Sequence, residues 1–149
     1  AKTLNVLIQV IETAGSEKFL QWQHGEKVSR FNELVEFLSS SNIEDTFELC
    51  EALHDDAFRV EIRRVRGIGP KTVDYMACLV GVDCIAVDRH IRSFADLAGL
   101  AETRYEYLKE VFNYAADLLE ITRREFDACI WRYQATKTAR QMNFDFEGW

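Results

Sequence analysis

Apolar residues recur every three or four positions along most of the chain, which is the period of an amphipathic helix. The first such face is made by Leu4, Leu7, Ile8 and Ile11. Similar faces follow as far as Tyr133, and the one strand-like run, Cys84 to Val87, is too short to seed a sheet. The pattern therefore predicts an all-α fold, a single compact domain of about eight to nine helices over residues 1–149.

Residues that commonly cap helices mark where the predicted helices begin. The predicted caps or first residues are Ser29, Ser41, Asp55 or Asp56, Asp88, Thr103 and Thr122. Ser41–Glu44 and Thr122–Glu125 both match the capping box, in which a Ser or Thr and a Glu three residues later bond each other's backbone. Phe47, Phe58 and Ile62 are expected on buried faces. The polar tail over residues 140–149 is expected to be loosely held.

Composition supports a helical, folded chain. Only one of the 149 residues is proline, against an average usage of about 5%. A hydrophobic content of 48% excludes a disordered chain. No apolar run approaches the roughly 20 residues of a membrane span, and no signal-peptide pattern opens the chain. We therefore expect a cytoplasmic protein without a membrane partner, and we expect it to be a monomer.

The four cysteines give no sign of a metal site or a disulfide framework. Cys50, Cys78, Cys84 and Cys129 contain no Cys-x-x-Cys pair. Zinc sites and small secreted domains normally show closer, paired spacing. The spacing predicts four buried, reduced thiols, as in an intracellular protein.

The charge distribution changes the picture that the net charge gives. The formal charge of −7 argues against a general polyanion binder. Between Arg59 and Arg92, however, seven basic residues face four acidic ones, so this window is +3 while the remainder is −10. Local potential guides a phosphate backbone more than net charge does. The alternative is that Arg59, Arg63 and Arg66 form an ordinary solvated helix face.

The window contains a glycine turn between two predicted helices. Val65–Lys71 reads Val-Arg-Gly-Ile-Gly-Pro-Lys, a helix-hairpin-helix pattern that would cover residues 55–80. Gly67 and Gly69 allow a tight turn, and Pro70 suits the first position of the next helix. Free N–H groups and the helix dipole at that position favour an anion such as a DNA phosphate. The alternative is a helix–helix turn that needs glycine for geometry alone.

Two ionisable residues near this turn could carry chemistry. Lys71 lies in the first turn of the predicted helix, where the dipole and nearby arginines disfavour its ammonium form and favour a nucleophilic amine. Asp88 follows the apolar run at a helix start, where the dipole favours the carboxylate. An amine nucleophile and a carboxylate are a workable pair for Schiff-base chemistry. Asp88 could also serve only as a helix cap, and the two roles are compatible.

Together these motifs resemble those of the helix-hairpin-helix DNA glycosylase superfamily, especially its endonuclease-III-like branch. The resemblance rests on Gly67-Ile-Gly-Pro-Lys-Thr-Val-Asp-Tyr followed by Ala86-Val-Asp-Arg-His-Ile, and extends faintly through residues 125–133. Lys71 matches the family's Schiff-base lysine and Asp88 its essential aspartate. The resemblance implies a base-excision repair enzyme that flips a damaged base out of double-stranded DNA and cleaves its N-glycosidic bond. It also implies AP lyase activity, with Lys71 attacking the sugar C1′.

The same resemblance suggests which residues hold DNA. The residues expected to contact it are Arg66, Gly67, Ile68, Gly69, Thr72, Arg89 and His90. His90 is expected to brace the aspartate loop or touch phosphate rather than to act as a catalyst. The hairpin carbonyls of family members often coordinate a monovalent cation, which is open here as well; no firm metal ligand is predicted.

The chain also departs from the family pattern. No Cys-x6-Cys-x2-Cys-x5-Cys segment follows Tyr133, so we expect no iron–sulfur cluster and no cofactor. The region before Lys71 is shorter than in typical relatives, and Asn5 and Gln9 are the only candidates nearby for a wedge residue that fills the hole left by a flipped base. Arg66 replaces the usual hairpin proline. A non-catalytic helix-hairpin-helix DNA-binding protein and a helical protein-interaction domain therefore stay as alternatives.

Overall fold

The computed structural model describes residues 3–146, with side chains through Thr136, and over that range contains nine α-helices and no strand. The all-α prediction is confirmed. The helices are α1 (Leu4–Ala14), α2 (Ser16–Leu20), α3 (Gly25–Ser40), α4 (Thr46–Ala52), α5 (Asp56–Ile62), α6 (Pro70–Val80), α7 (Arg89–Leu97), α8 (Tyr105–Leu118) and α9 (Arg123–Phe146). They group into two compact units, one up to Val82 and one from Asp83. The single domain over residues 1–149 stays a prediction.

In the first unit, the start of α1 is fixed to the connection between α3 and α4. The N–H of Leu4 donates to the carbonyl of Glu44 at 2.7 Å. The side-chain amide of Asn5 donates to the Glu44 carboxylate, also at 2.7 Å. Asn5, one of the two wedge candidates, is therefore engaged in holding the first unit together.

Helix α3 begins earlier than predicted, which makes the Ser29 cap wrong. The helix starts at Gly25, because the N–H groups of Lys27 and Val28 bond to the carbonyl of His24. Ser29 lies one turn inside, where its hydroxyl donates to Glu33 at 3.1 Å. A serine hydroxyl has partners both at caps and inside helices, so only its neighbours decide between the two.

The capping box predicted at Ser41–Glu44 is also wrong. Ser41 closes α3 and Asn42 adopts a left-handed conformation with φ of 56°. The cap of α4 is Asp45, whose Oδ1 accepts from the N–H groups of Phe47 and Glu48 at 2.8 and 2.9 Å. Phe47, expected on the buried face, is 70% exposed, so this expectation is wrong.

An ion pair buried in the first unit joins α5 to α6. Asp55 caps α5 as predicted, accepting from the N–H of Ala57 at 2.9 Å. Arg59 of α5 is paired with Asp74 of α6, and its Nη1 also donates to the carbonyl of Leu53 at 3.0 Å. Ile62 is fully buried as expected, whereas Phe58 is half-buried. Arg59 therefore does not belong to a solvated helix face.

The second unit has a core built from α7, α8 and α9 around the apolar run. Its buried members are Ile85, Val87, Ile91, Ala95, Leu108, Phe112 and Ile130. The run at residues 84–87 is buried but not paired as a strand, and the N–H of Val87 donates to the hydroxyl of Tyr105 at 3.3 Å. Burial of this run places the residue that follows it, Asp88, at the start of α7.

The capping box at Thr122–Glu125 is confirmed. Thr122 Oγ1 accepts from the N–H of Glu125 at 3.1 Å, and Glu125 Oε2 accepts from the N–H of Thr122 at 3.0 Å. These hydrogen bonds hold the pKa of Glu125 below its ordinary value. Helix α9 continues to Phe146, so residues 140–146 of the predicted tail are helical, and residues 147–149 lie outside the described range.

Two further predictions need correction. Thr103 does not cap α8, because its N–H and that of Arg104 both donate to Glu102 Oε1 at 2.9 Å and the helix starts at Tyr105. Over residues 3–136 none of the four cysteines forms a disulfide bond, and the prediction that all four are buried is wrong, because Cys84 is buried whereas Cys129 is exposed. No helix between residues 3 and 146 has the length and apolar character needed to cross a bilayer.

Candidate functional site

The turn between α5 and α6 depends on one of its two glycines. Gly67 has φ of 85°, a left-handed conformation that favours glycine, and the N–H of Ile68 closes the turn on the carbonyl of Val65 at 3.0 Å. Gly69 has φ of −102°, which other residues adopt, and an added Cβ there would meet nothing within 4 Å. The conformational need for glycine therefore lies at Gly67 alone.

The beginning of α6 presents unused hydrogen-bond donors. The N–H groups of Thr72 and Val73 both bond to the carbonyl of Gly69, at 3.0 and 3.1 Å. Within the described chain, the N–H groups of Gly69 and Lys71 donate to no other group, and no side chain caps this helix. Together with the helix dipole, these N–H groups favour an anion at this end of α6. Thr72 is half-buried and its N–H is already engaged.

Most basic side chains around the turn already have carboxylate partners. Arg66 Nη2 contacts Glu33 Oε1 at 2.5 Å and donates to Ser29 Oγ at 2.7 Å. This hydrogen bond lowers the pKa of Glu33 below its ordinary value. Lys71 is exposed, and over residues 3–136 it forms no ion pair. Among the predicted DNA contacts and catalytic residues described in this unit, Lys71 is therefore the cation without a carboxylate partner.

Arg30 of α3 is a residue at this turn that sequence reasoning missed. An ideal Cβ placed on Gly67 would lie 2.8 Å from Arg30 Cδ, 3.2 Å from its Nε and 3.3 Å from its Nη1. The guanidinium is also paired with Glu26, one helical turn earlier on α3. The i, i+4 spacing of these two residues was visible in the sequence. Their position beside the turn depends on how α3 packs, which the spacing does not reveal.

Asp88 caps α7 as predicted, and it does so with one oxygen only. Its Oδ1 accepts from the N–H of His90 at 2.8 Å and from that of Ile91 at 3.0 Å. Its Oδ2 accepts no hydrogen bond from any described residue. The carboxylate is half-buried behind the apolar run. One oxygen therefore fixes the orientation of the group and the other stays available.

The two neighbours of Asp88 on α7 contact each other and α9. Arg89 is exposed, and its Nε donates to His90 Nε2 at 3.3 Å. The His90 ring lies edge-on to the indole of Trp131, with ring centroids 6.4 Å apart and planes 70° apart. His90 therefore contacts both Asp88 and α9, and its role at the site stays a prediction.

Asp127 of α9 is the second residue that sequence reasoning missed. Burial raises the pKa of its carboxyl, the Asp88 carboxylate raises it further, and His90 opposes both effects. Asp127 is thus a half-buried carboxyl group within electrostatic range of Asp88. It belongs to the segment that extends the sequence resemblance faintly, but nothing in the spacing pointed to this neighbour.

One family model matches residues 23–135, and its description is Domain of unknown function (DUF8548). The chain belongs to the DUF8548 family. Neither the curated proteins nor the solved structures contain a match.

The predicted site residues of this DUF8548 chain fall into two groups, both inside the matched region. The first unit holds Arg66, Gly67, Ile68, Gly69, Lys71 and Thr72. The second unit holds Asp88, Arg89 and His90, together with the two residues of α9 that lie near them, Asp127 and Trp131. Each group contains one of the two residues predicted to be catalytic.

Proposed function

We propose that this DUF8548 chain is a base-excision DNA glycosylase with AP lyase activity, acting on double-stranded DNA that carries a damaged base or an abasic site. The observation that supports it most is that both positions matching the glycosylase lysine and aspartate carry an unengaged group. Lys71 has a free amine, and Asp88 has a free Oδ2 among the described residues. Both groups are therefore available to a substrate.

The turn supports the DNA-binding part of the proposal. Gly67 in its left-handed conformation and the free N–H groups of Gly69 and Lys71 suit the close approach of a phosphate. Phosphate contacts fix the register of a protein on DNA without reading the base. Contact through backbone N–H groups at the turn therefore fits a protein whose overall charge is −7.

Asp88 is assigned to the cleavage of the glycosidic bond. As the bond between C1′ and the base nitrogen breaks, its electron pair leaves with the base and positive charge develops on the sugar. A carboxylate held by the N–H groups of His90 and Ile91 stabilises that charge without having to reorganise. Oδ2 is the atom that would face the sugar.

Lys71 is assigned to the covalent step. Its amine forms a bond to C1′, and a proton of the amine passes to the sugar ring oxygen as the bond between C1′ and that oxygen breaks, which leaves a C4′ hydroxyl and a protonated Schiff base. Loss of a proton from C2′ and of the 3′ phosphate then breaks the strand by β-elimination. Hydrolysis of the remaining Schiff base returns the amine of Lys71.

Borohydride trapping tests the proposal directly, because the reductant converts the Schiff base into a stable protein–DNA adduct. The probes are a duplex with one abasic site and duplexes with single oxidised, alkylated or deaminated bases. Wild type is expected to form an adduct that Lys71→Gln does not form, while Lys71→Gln still binds the duplex. Lys18→Gln, which changes an exposed lysine of α2, is the control and should trap normally.

The aspartate is tested by a matched pair of helix caps. Asn caps helices about as well as Asp, so Asp88→Asn should fold normally and lose excision by about 100-fold or more. Asp45 caps α4 through Oδ1 with nearly the same two hydrogen bonds, so Asp45→Asn is the control and should keep full activity. If wild type binds these duplexes but neither traps nor excises, the chain is a non-catalytic DNA-binding protein and the enzyme proposal is wrong.

A further inference from the structure

Two arginines lie at the Gly67 turn, Arg66 within it and Arg30 beside it, and α3 supplies a carboxylate to each. Arg66 is bound by Glu33 with the help of the Ser29 hydroxyl, and Arg30 is bound by Glu26. The side chains of both arginines remain accessible, 53% exposed for Arg66 and 43% for Arg30. Both guanidinium groups are thus on the surface next to a turn with free N–H donors.

We propose that Arg30 and Arg66 form a two-arginine site for one DNA phosphate at the Gly67 turn, with Glu33 and Glu26 as its competitors. The inference rests on the proposed DNA function. It extends that function because it adds Arg30 to the phosphate contacts and identifies the two glutamates as groups that weaken phosphate binding.

The chemistry of the groups supports an exchange of carboxylate for phosphate. A guanidinium group matches both anions through the same planar pair of N–H donors, so phosphate can take the place that a carboxylate holds. Exposed ion pairs contribute little to stability, so opening them costs the fold little. At the turn a phosphate would also accept from the free N–H groups of Gly69 and Lys71, which the glutamates leave unused.

The position of Arg30 is what makes this a site rather than a basic surface. Its Cδ, Nε and Nη1 lie within 3.3 Å of where a Cβ of residue 67 would be, so the absence of a side chain at Gly67 leaves room for the arginine. A phosphate bound at Gly67 would therefore lie close to the Arg30 guanidinium. Arg66, which lies in the turn, donates to Ser29 Oγ, and Ser29 directly precedes Arg30 on α3.

The second unit offers a matched control pair. Arg104 and Glu102 form an exposed ion pair at 2.9 Å, and hydrogen bonds from Arg104 lower the pKa of Glu102 below its ordinary value, as Arg66 does for Glu33. Glu102→Gln therefore removes the same charge from the same kind of pair as Glu33→Gln does. Arg104→Gln corresponds in the same way to Arg66→Gln.

The experiment measures fluorescence anisotropy of a labelled duplex carrying a tetrahydrofuran abasic analogue, over a series of salt concentrations. Glu33→Gln is expected to bind about two- to fivefold more tightly than wild type, and Glu102→Gln less so. Arg30→Gln and Arg66→Gln should each make the salt dependence less steep, by about one unit of slope when both are changed, while Arg104→Gln leaves it unchanged. Because the two arginines share one phosphate, the double variant should lose less than the sum of the single losses.

The outcomes separate this inference from the proposed function. If wild type binds and Arg66→Gln weakens binding while Arg30→Gln behaves like Arg104→Gln, the two-arginine site is wrong and DNA binding stands. If Glu33→Gln and Glu102→Gln raise affinity equally, the effect is one of net charge and the competition is refuted. If neither wild type nor the Glu26→Gln/Glu33→Gln double variant binds any duplex, the proposed function is wrong as well.

Discussion

Replacing Arg59 with alanine is expected to destabilise the protein more than replacing Asp74, its partner, with alanine. The asymmetry follows from burial: the Asp74 side chain is 3% exposed and that of Arg59 is 19% exposed. Arg59→Ala leaves a carboxylate deep in the first unit without its guanidinium and removes the donor to the carbonyl of Leu53. Breaking a buried pair in this way costs about 3–5 kcal/mol.

Asp74→Ala leaves a different situation behind. The guanidinium of Arg59 can still donate to the carbonyl of Leu53 and can reach water through its exposed part. The expected cost is about 1–3 kcal/mol, that of a polar group with incomplete partners. Since α6 carries both Asp74 and Lys71, loosening this pair should also weaken DNA binding, although neither Arg59 nor Asp74 is proposed to touch DNA.

Urea denaturation of the two single variants and the double variant measures both effects. The double-mutant cycle should show that Arg59→Ala/Asp74→Ala costs less than the sum of the single costs, because the second change removes the buried carboxylate whose guanidinium the first change took away. The reasoning is refuted if Asp74→Ala costs as much as Arg59→Ala, or if the single costs simply add.

Two smaller predictions concern the turn and α9. Gly67→Ala should lower the free energy of unfolding by about 1–2 kcal/mol in a thermal or urea melt, because alanine is strained at this left-handed φ and its Cβ would press on Arg30. Gly69→Ala should cost less. Equal costs would contradict the conclusion that the turn needs glycine at position 67 alone. Burial and Asp88 raise the pKa of Asp127, so its carboxyl binds a proton more tightly in the folded than in the unfolded state, and its contribution to stability falls as the pH rises above the ordinary value of 3.8. Asp127→Asn should abolish this fall in urea midpoints measured across that range, and an unchanged pH profile would rule it out.

Features that depend on a few neighbouring residues were predictable from the sequence. Asp55, Asp88 and Thr122 cap their helices as expected, because the donor and acceptor lie within three residues of each other. The caps predicted at Ser29 and Thr103 are wrong. Each could have been a cap, and the outcome depended on Glu33 for Ser29 and on Glu102 for Thr103.

In the candidate site, too, features set by neighbouring residues were predictable and features set by tertiary packing were not. The glycine turn and the position of Asp88 at a helix start were predictable, since both are set by local backbone chemistry. The neighbours Arg30 and Asp127 were not, because each is 37–39 residues away in sequence from the group it meets, Gly67 or Asp88. Tertiary packing, which a single sequence does not record, places them there.

Asp45 and Asp88 cap their helices with nearly the same hydrogen bonds. The two positions can therefore be compared across family members, one as a helix cap alone and the other as a helix cap with a proposed catalytic role. A helix cap is fulfilled about equally well by Asp, Asn or Ser, so a position with that task alone can exchange these residues freely over time. Both positions lie in the region that matches the DUF8548 family. Position 45 should therefore vary among capping residues from one family member to another. Position 88 should stay an aspartate in those members in which Oδ2 takes part in the reaction.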